Sequence, residues 1–237
     1  EQTPLEKIGA VEKILYGAEQ EGSLVERTNK LERELFGLPG KEALMSKVER
    51  IYVYVRDSSA STPSLIFKMG ALEWSLTQSV GKGPLKSRLD TLERTVSGVM
   101  GTGSIDSRVS RLMTITFSNA RLQTGMVTLP KDSLVKIKLV TPLDSKRNKT
   151  GDAVEFEVAE DLYAGGMMVL PKGAPGIGKL TKVEQAQNFG RDAKLEVNFE
   201  KVTALDLTLV PTVLGEKAKK ETESTATAAG AGFAGMI

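Results

Sequence analysis

The stretch "LERELFGLPGKEALMSKVERI", Leu31 to Ile51, contains an apolar-periodic run, a Gly-bounded break and the start of a second run. Upstream, "VEKILYGAEQEGSLVERTNK", from Val11, sets the same landmarks in the same order. Four copies align without gaps, opened by Val11-Glu12, Leu31-Glu32, Leu72-Glu73 and Leu92-Glu93. A second apolar position comes at Leu15, Leu35, Leu76 and Val96. A third comes at Leu24, Leu44, Leu85 and Ile105, with a base just after it at Arg27, Lys47, Arg88 and Arg108. The step within each pair of copies is 20 residues, and the step between the pairs is 61. Periods of this size mark stacked supersecondary units, none of which can bury its apolar face alone.

Local chemistry makes each copy helical. In "SLVERTNKLERELFG", Leu24, Thr28, Leu31 and Leu35 fall close to one helical stripe. Ser23 with Glu26 forms a capping box, and Gly37 closes the run as a C-cap. Gly22, Gly83 and Ser104 mark the corresponding breaks. On this reading Glu32 and Arg33 face solvent. The helices span roughly 12 to 15 residues, marginal in isolation, so they need partners. "RIYVYV", from Arg50 to Val55, aligns with "RLMTITF", from Arg111. Both are rich in branched and aromatic residues and predict strands. The expectation for residues 1–119 is a doubled unit of helical repeats with two strand-like insertions.

Composition removes several functions. The chain has 237 residues, and its 32 basic residues nearly balance 30 acidic ones. Neither half forms a basic surface, which argues against nucleic-acid binding. With no Cys and no His, there are no disulfides, thiolate nucleophiles, imidazole bases or usual zinc and haem ligands. The lack of Cys fits an oxidising envelope compartment. No apolar run reaches the length of a membrane-spanning helix.

Past Gly125 the texture changes. "SLVKIKLVTPLD", "AVEFEVAEDLY", "KLEVNFEKV" and "LDLTLVPTVL" alternate like strands. Turn signals separate them at Asn148–Gly151, Ala164–Gly166 and Asn188–Gly190. Val154, Phe156 and Val158 share one strand face, and Glu155 and Glu157 share the other, which predicts antiparallel pairing with one wet side. "TLPKDS" and "VLPKGA" repeat a Leu-Pro-Lys corner at Leu129–Lys131 and Leu170–Lys172. About seven strands predict a small antiparallel β-barrel or sandwich over 120–215.

"L…PLDS…GD.VEF.VAED" followed by "VLPKGA.G.G.L" is similar to a β-rich domain of secreted and envelope-associated bacterial proteins. It also distantly resembles the β-barrel domain of outer-membrane core-complex proteins of type IV secretion systems. The "LE..L(F/Y)G" helices resemble repeats in bacterial cell-envelope proteins. The resemblance implies an exported, non-catalytic protein of the periplasm or outer membrane.

Sharper motifs fail on inspection. "GAPGIGKL", Gly173 to Leu180, misses a phosphate loop because Leu180 stands where Ser or Thr must hold Mg²⁺. The adjoining "KLTKVEQ", from Lys179, alternates as a strand, not as a phosphate-binding helix. Glu155 with Glu157, and Glu160 with Asp161, are the densest carboxylates for a glycosidase. They sit on an exposed face without an aromatic platform, and the single Trp74 reads as helix core. Asn148-Lys149-Thr150 is a formal sequon in a Lys-rich turn.

The expected protein is α+β, with helical repeats, a β domain and, over 216–237, a charged linker and a Gly/Ala-rich tail. That tail reads as disordered, or as the start of a longer membrane-associated segment. The expected function is a scaffold or tether, with no catalytic, cofactor-binding or metal-binding residues. It would assemble with itself or other envelope proteins through Leu24, Leu35, Leu44, Leu85 and Ile105, with Arg27, Lys47, Arg88 and Arg108 at the rim. A module binding cell-wall glycan or peptide is the alternative, and a hydrolase the remotest.

Overall fold

The computed structural model describes residues 2–58, 62–118, 127–130, 133–185, 194–205, 207–215 and 234–236. It divides into two compact units, Glu1–Met126 and Val127–Ile237.

The first unit contains six described helices: α1 (Pro4–Tyr16), α2 (Leu24–Phe36), α3 (Leu44–Arg56), α4 (Leu65–Thr77), α5 (Leu85–Ser97) and α6 (Ile105–Phe117). Each has 13 residues. The repeat is therefore one helix and one loop, and the 61-residue step is a triplet of helices. Thr3 with Glu6 and Ser23 with Glu26 form complete capping boxes, and Gly17, Gly37 and Gly98 close their helices at positive φ. Within the triplets α1 packs on α3 and α4 on α6; between them α3 meets α4, α1 meets α5 and α2 meets α6. The core is built from residues such as Ile8, Leu15, Leu31, Leu35, Ile51, Leu65, Met69, Leu72 and Leu89.

The two predicted strand insertions are absent. "RIYVYV" forms the C-terminal half of α3, and "RLMTITF" that of α6. Val48, Ile51 and Val55 are buried on one helical stripe, as are Ile105, Val109 and Leu112. Alternation over about five residues fits both periods, and packing of the stripe overrides the β preference of Tyr and Val. Tyr54 settles edge-on against Phe36, with ring centroids 4.9 Å apart, and donates to Asp106 Oδ1 at 2.7 Å. Burial and the nearby Asp106 carboxylate push its phenol well above the usual tyrosine range.

The second unit contains β1 (Lys136–Leu139), β2 (Ala153–Val158), β3 (Leu162–Ala164), β4 (Met167–Leu170), β5 (Pro175–Glu184), β6 (Lys194–Thr203), β7 (Leu209–Pro211) and β8 (Ala234–Met236). Six strands form one antiparallel sheet in the order β7-β6-β5-β2-β1-β8, and β3-β4 is a separate hairpin. Among the described residues β7 and β8 are not paired with each other, so the sheet is open. Val154, Phe156 and Val158 are buried as the alternation predicts, and Phe156 meets Phe199 edge-on at 5.1 Å. The corner after Leu170 turns as expected: the Ala174 N–H donates to the Pro171 carbonyl. "PGIGKL" is strand, not loop, and its glycines make room. A Cβ on Gly176 would lie 2.2 Å from the Phe156 ring, and one on Gly178 would lie 2.4 Å from the Asn198 carbonyl oxygen. Ala234–Met236 pairs with β1; the rest of the expected Gly/Ala-rich tail lies outside the described residues. The turn at Asn188–Gly190 and the linker from Glu216 lie outside the described residues.

Candidate functional site

The feature that recurs in the helical unit is a buried carboxylate at the ninth position of four helices: Glu12, Glu32, Glu73 and Glu93. Each accepts from a loop N–H eight residues on. Gln20 donates to Glu12 at 2.9 Å, Gly40 to Glu32 at 3.1 Å, Gly81 to Glu73 at 2.9 Å and Gly101 to Glu93 at 2.6 Å. Each also pairs with the base fifteen residues on, at the fourth position of the next helix. Arg27 grips Glu12 through Nε at 3.0 Å and Nη2 at 2.6 Å. Arg88 holds Glu73 the same way, at 2.7 and 2.6 Å. Arg108 Nε reaches Glu93 at 3.1 Å, while its Nη2 also reaches Asp90. In the second copy Lys47 Nζ stands 3.0 Å from Glu32, and Arg50 adds a further contact.

Every such clamp ties a helix, the loop after it and the next helix to one carboxylate. A planar guanidinium suits it because two parallel N–H donors match two carboxylate oxygens. Glycine at the loop position lets the carboxylate come close to the backbone. A Cβ at Gly101 would lie 2.2 Å from Glu93 Oε1, and one at Gly81 2.6 Å from Glu73 Oε1.

Glu32 is therefore not a solvent-facing charge; it is wholly buried. Charges on a short helix default to the wet face, and a buried one needs a partner from elsewhere in the chain. Sequence reasoning misses the four glutamates as a set. Their signal is in the alignment: an acid and a base separated by the same fifteen residues in all four copies.

Burial works against ionisation of Glu32, but hydrogen bonds from Lys47, Arg50 and the Gly40 amide outweigh it and hold the carboxyl below its ordinary range. For Glu93, burial is likewise outweighed by Arg108 and the Gly101 amide. The hydrogen bonds to Glu12 raise Arg27 above its usual value. Because the native carboxyls are depressed, their stabilisation is fully present above the unfolded glutamate value of about 4.3 and is lost as pH falls through the native values. The urea midpoint of the helical unit is expected to stay flat from neutral pH to about 5 and fall steeply below about 4. Glu93→Gln should remove part of that acid slope, read by circular dichroism across a pH series.

The expected interface residues are used within the chain. Leu35, Leu85 and Ile105 are buried in the unit's own core, while Leu24 and Leu44 are half-buried at helix N-termini. Arg27 and Arg108 are buried, and Lys47 and Arg88 half-buried, all in clamps. Trp74 is half-buried, not core. A different apolar set reaches the surface: Leu5, Val25 and Met45 occupy the same repeat position on α1, α2 and α3, each about half exposed, at 51%, 50% and 50%. The equivalent on α4, Ile66, is buried at 4%.

Chemically, the clamps are structural contacts within the chain: Glu12 and Glu73 each accept three N–H donors, one from the loop and two from the next helix. Among the described residues no group of three or more Asp or Glu could hold a metal ion. No described helix is long and apolar enough to cross a membrane. No known protein family, curated protein or solved structure matches the chain.

Proposed function

We propose that the chain is a non-catalytic scaffold or tether of the bacterial cell envelope, exported to the periplasm or outer membrane, that assembles through its helical unit with copies of itself or other envelope proteins. The observation that carries this is the row Leu5, Val25 and Met45. One repeat position, duplicated on three successive helices, leaves apolar side chains half in water, while Ile66 shows the same position fully covered. Arg27, Lys47, Arg88 and Arg108 serve the internal clamps; among the exposed apolar residues of the unit, which also include Leu38, Val99 and Ile115, this position is the one that the repeat duplicates. The envelope location rests on the resemblance of the β segment and on the absence of Cys. The same reading takes the β unit as a small barrel or sandwich: register shifts between Ile177 and Gly178, and between Leu180 and Lys182, bend β5 against β6.

Light scattering coupled to size exclusion, over a range of concentrations, tests assembly. The expected result is a defined oligomer that Val25→Asp with Met45→Asp dissociates while the far-ultraviolet spectrum is retained. Leu35→Asp would not serve, because it breaks the fold. A strict monomer of 25.5 kDa at every concentration overturns self-assembly and leaves only a different envelope protein as partner.

A further inference from the structure

Strand β1 has two neighbours of unequal quality. On one side β2 sets Glu157 opposite Lys138 and Val158 opposite Ile137. Lys138 Nζ lies 4.0 Å from Glu157 Oε1. Carboxylate faces ammonium and a branched side chain faces a buried isoleucine, which is a well-matched antiparallel pair. On the other side β8 sets Met236 opposite Lys136, Gly235 opposite Ile137 and Ala234 opposite Lys138. No residue of β8 opposite either lysine is acidic; Lys136 instead reaches Glu160, just past β2, at 2.8 Å in a solvent-exposed pair of the kind that contributes little. Ile137 is fully buried, yet what β8 offers opposite it is, by residue type, backbone only. Glycine also loses the most freedom on ordering, and Gly-rich strands are weakly specified in their pairing. β8 has three residues.

The backbone of β1 is divided between these neighbours. The Ala159 N–H donates to the Lys136 carbonyl, and the Val140 N–H donates to the Glu155 carbonyl. Residues 136, 138 and 140 thus turn their backbone groups toward β2. By the alternation of an antiparallel ladder, Ile137 and Leu139 turn theirs toward the β8 side.

We infer that the β8 side of β1 is a strand-accepting edge, occupied in cis by a poorly matched tail strand, and that its preferred ligand is an extended peptide of alternating acidic–apolar–acidic character. Such a peptide adds antiparallel, places carboxylates opposite Lys136 and Lys138, and sets a branched side chain opposite Ile137, repeating on this side what β2 does on the other. A second copy of β1 is a poor occupant, because antiparallel pairing about Ile137 sets lysine against lysine. The inference uses the β unit alone and stands apart from assembly through the helices.

The test uses the full chain and fluorescein-labelled nonapeptides carrying Glu-Val-Glu or Lys-Val-Lys at the centre, read by anisotropy at low salt. Two matched cross-strand charge pairs predict saturable binding of the acidic peptide about tenfold tighter than the basic one. The Ile137 amide should gain protection from hydrogen exchange at saturation. Gly235→Val should strengthen the cis strand and weaken peptide binding. Lys138→Glu alters a side chain 73% exposed; made together with Glu157→Lys, which keeps the β1–β2 pair matched, it should erase or reverse the charge preference. Equal affinity for both peptides, no saturable binding, unchanged protection at Ile137, or a preference that survives Lys138→Glu with Glu157→Lys would each overturn the inference. So would a dimer through this edge that the acidic peptide does not dissolve.

Discussion

Glu93→Ala should destabilise the helical unit by about 3–5 kcal/mol, enough to leave a small unit largely unfolded in mild urea. Arg108 is buried, and its main partner is the Glu93 carboxylate; the variant leaves that buried guanidinium without it. The Gly101 N–H loses its acceptor in the same step. Asp90, which also contacts Arg108, is 31% exposed and replaces only part of the lost field. Urea titration followed by circular dichroism measures the loss. The double variant Glu93→Leu with Arg108→Leu should recover much of it, because removing a buried pair together costs far less than removing one partner. If the double variant is no better than the single one, the stranded cation is not the cause.

The second large effect concerns the two glycines of β5. Gly176→Ala drives a methyl into the Phe156 ring and should cost about 1–3 kcal/mol by overpacking. Phe156→Leu in the same chain should relieve it, since a side chain can be traded for space. Gly178→Ala meets the Asn198 carbonyl oxygen, which belongs to the neighbouring strand and cannot be trimmed. It should cost about 3 kcal/mol or more, and Phe156→Leu should not rescue it. Hydrogen exchange of the β5 and β6 amides separates the outcomes: slow exchange returns in the first rescue and stays lost in the second.

What is legible in the sequence is local. Ser23, Glu26 and Gly37 fix a helix through contacts within a few residues, and they sit where capping chemistry puts them. The alternation of Val154, Phe156 and Val158 needs only a period of two. The C-terminal halves of α3 and α6 mislead because Ile51 to Val55 satisfies two periods, and only Val48 one turn earlier breaks the tie. The clamps are hidden for a different reason. Glu32 looks like surface until its partners Lys47, Arg50 and the Gly40 amide converge, and no single helix contains that information. The proposed assembly surface moves with it: once the bases turn inward, Leu5, Val25 and Met45 are the repeated apolar position that the first three helices leave half in water, beside single exposed apolars such as Val53 and Ile115.

The clamp also gives the unit a grammar for growth by duplication. A helix that carries the buried glutamate must be succeeded, at fixed distance, by one that carries the base; otherwise a carboxylate is orphaned in the core. The third helix of each triplet has Tyr52 or Met113 at that position, and neither demands a successor. Copying a single helix-loop module out of the middle would be tolerated only in register, whereas a whole triplet is a closed word. It can be copied, as it has been here, without orphaning a buried glutamate at either junction; the base position that opens the second triplet, Lys68, rests instead over the Tyr54 ring.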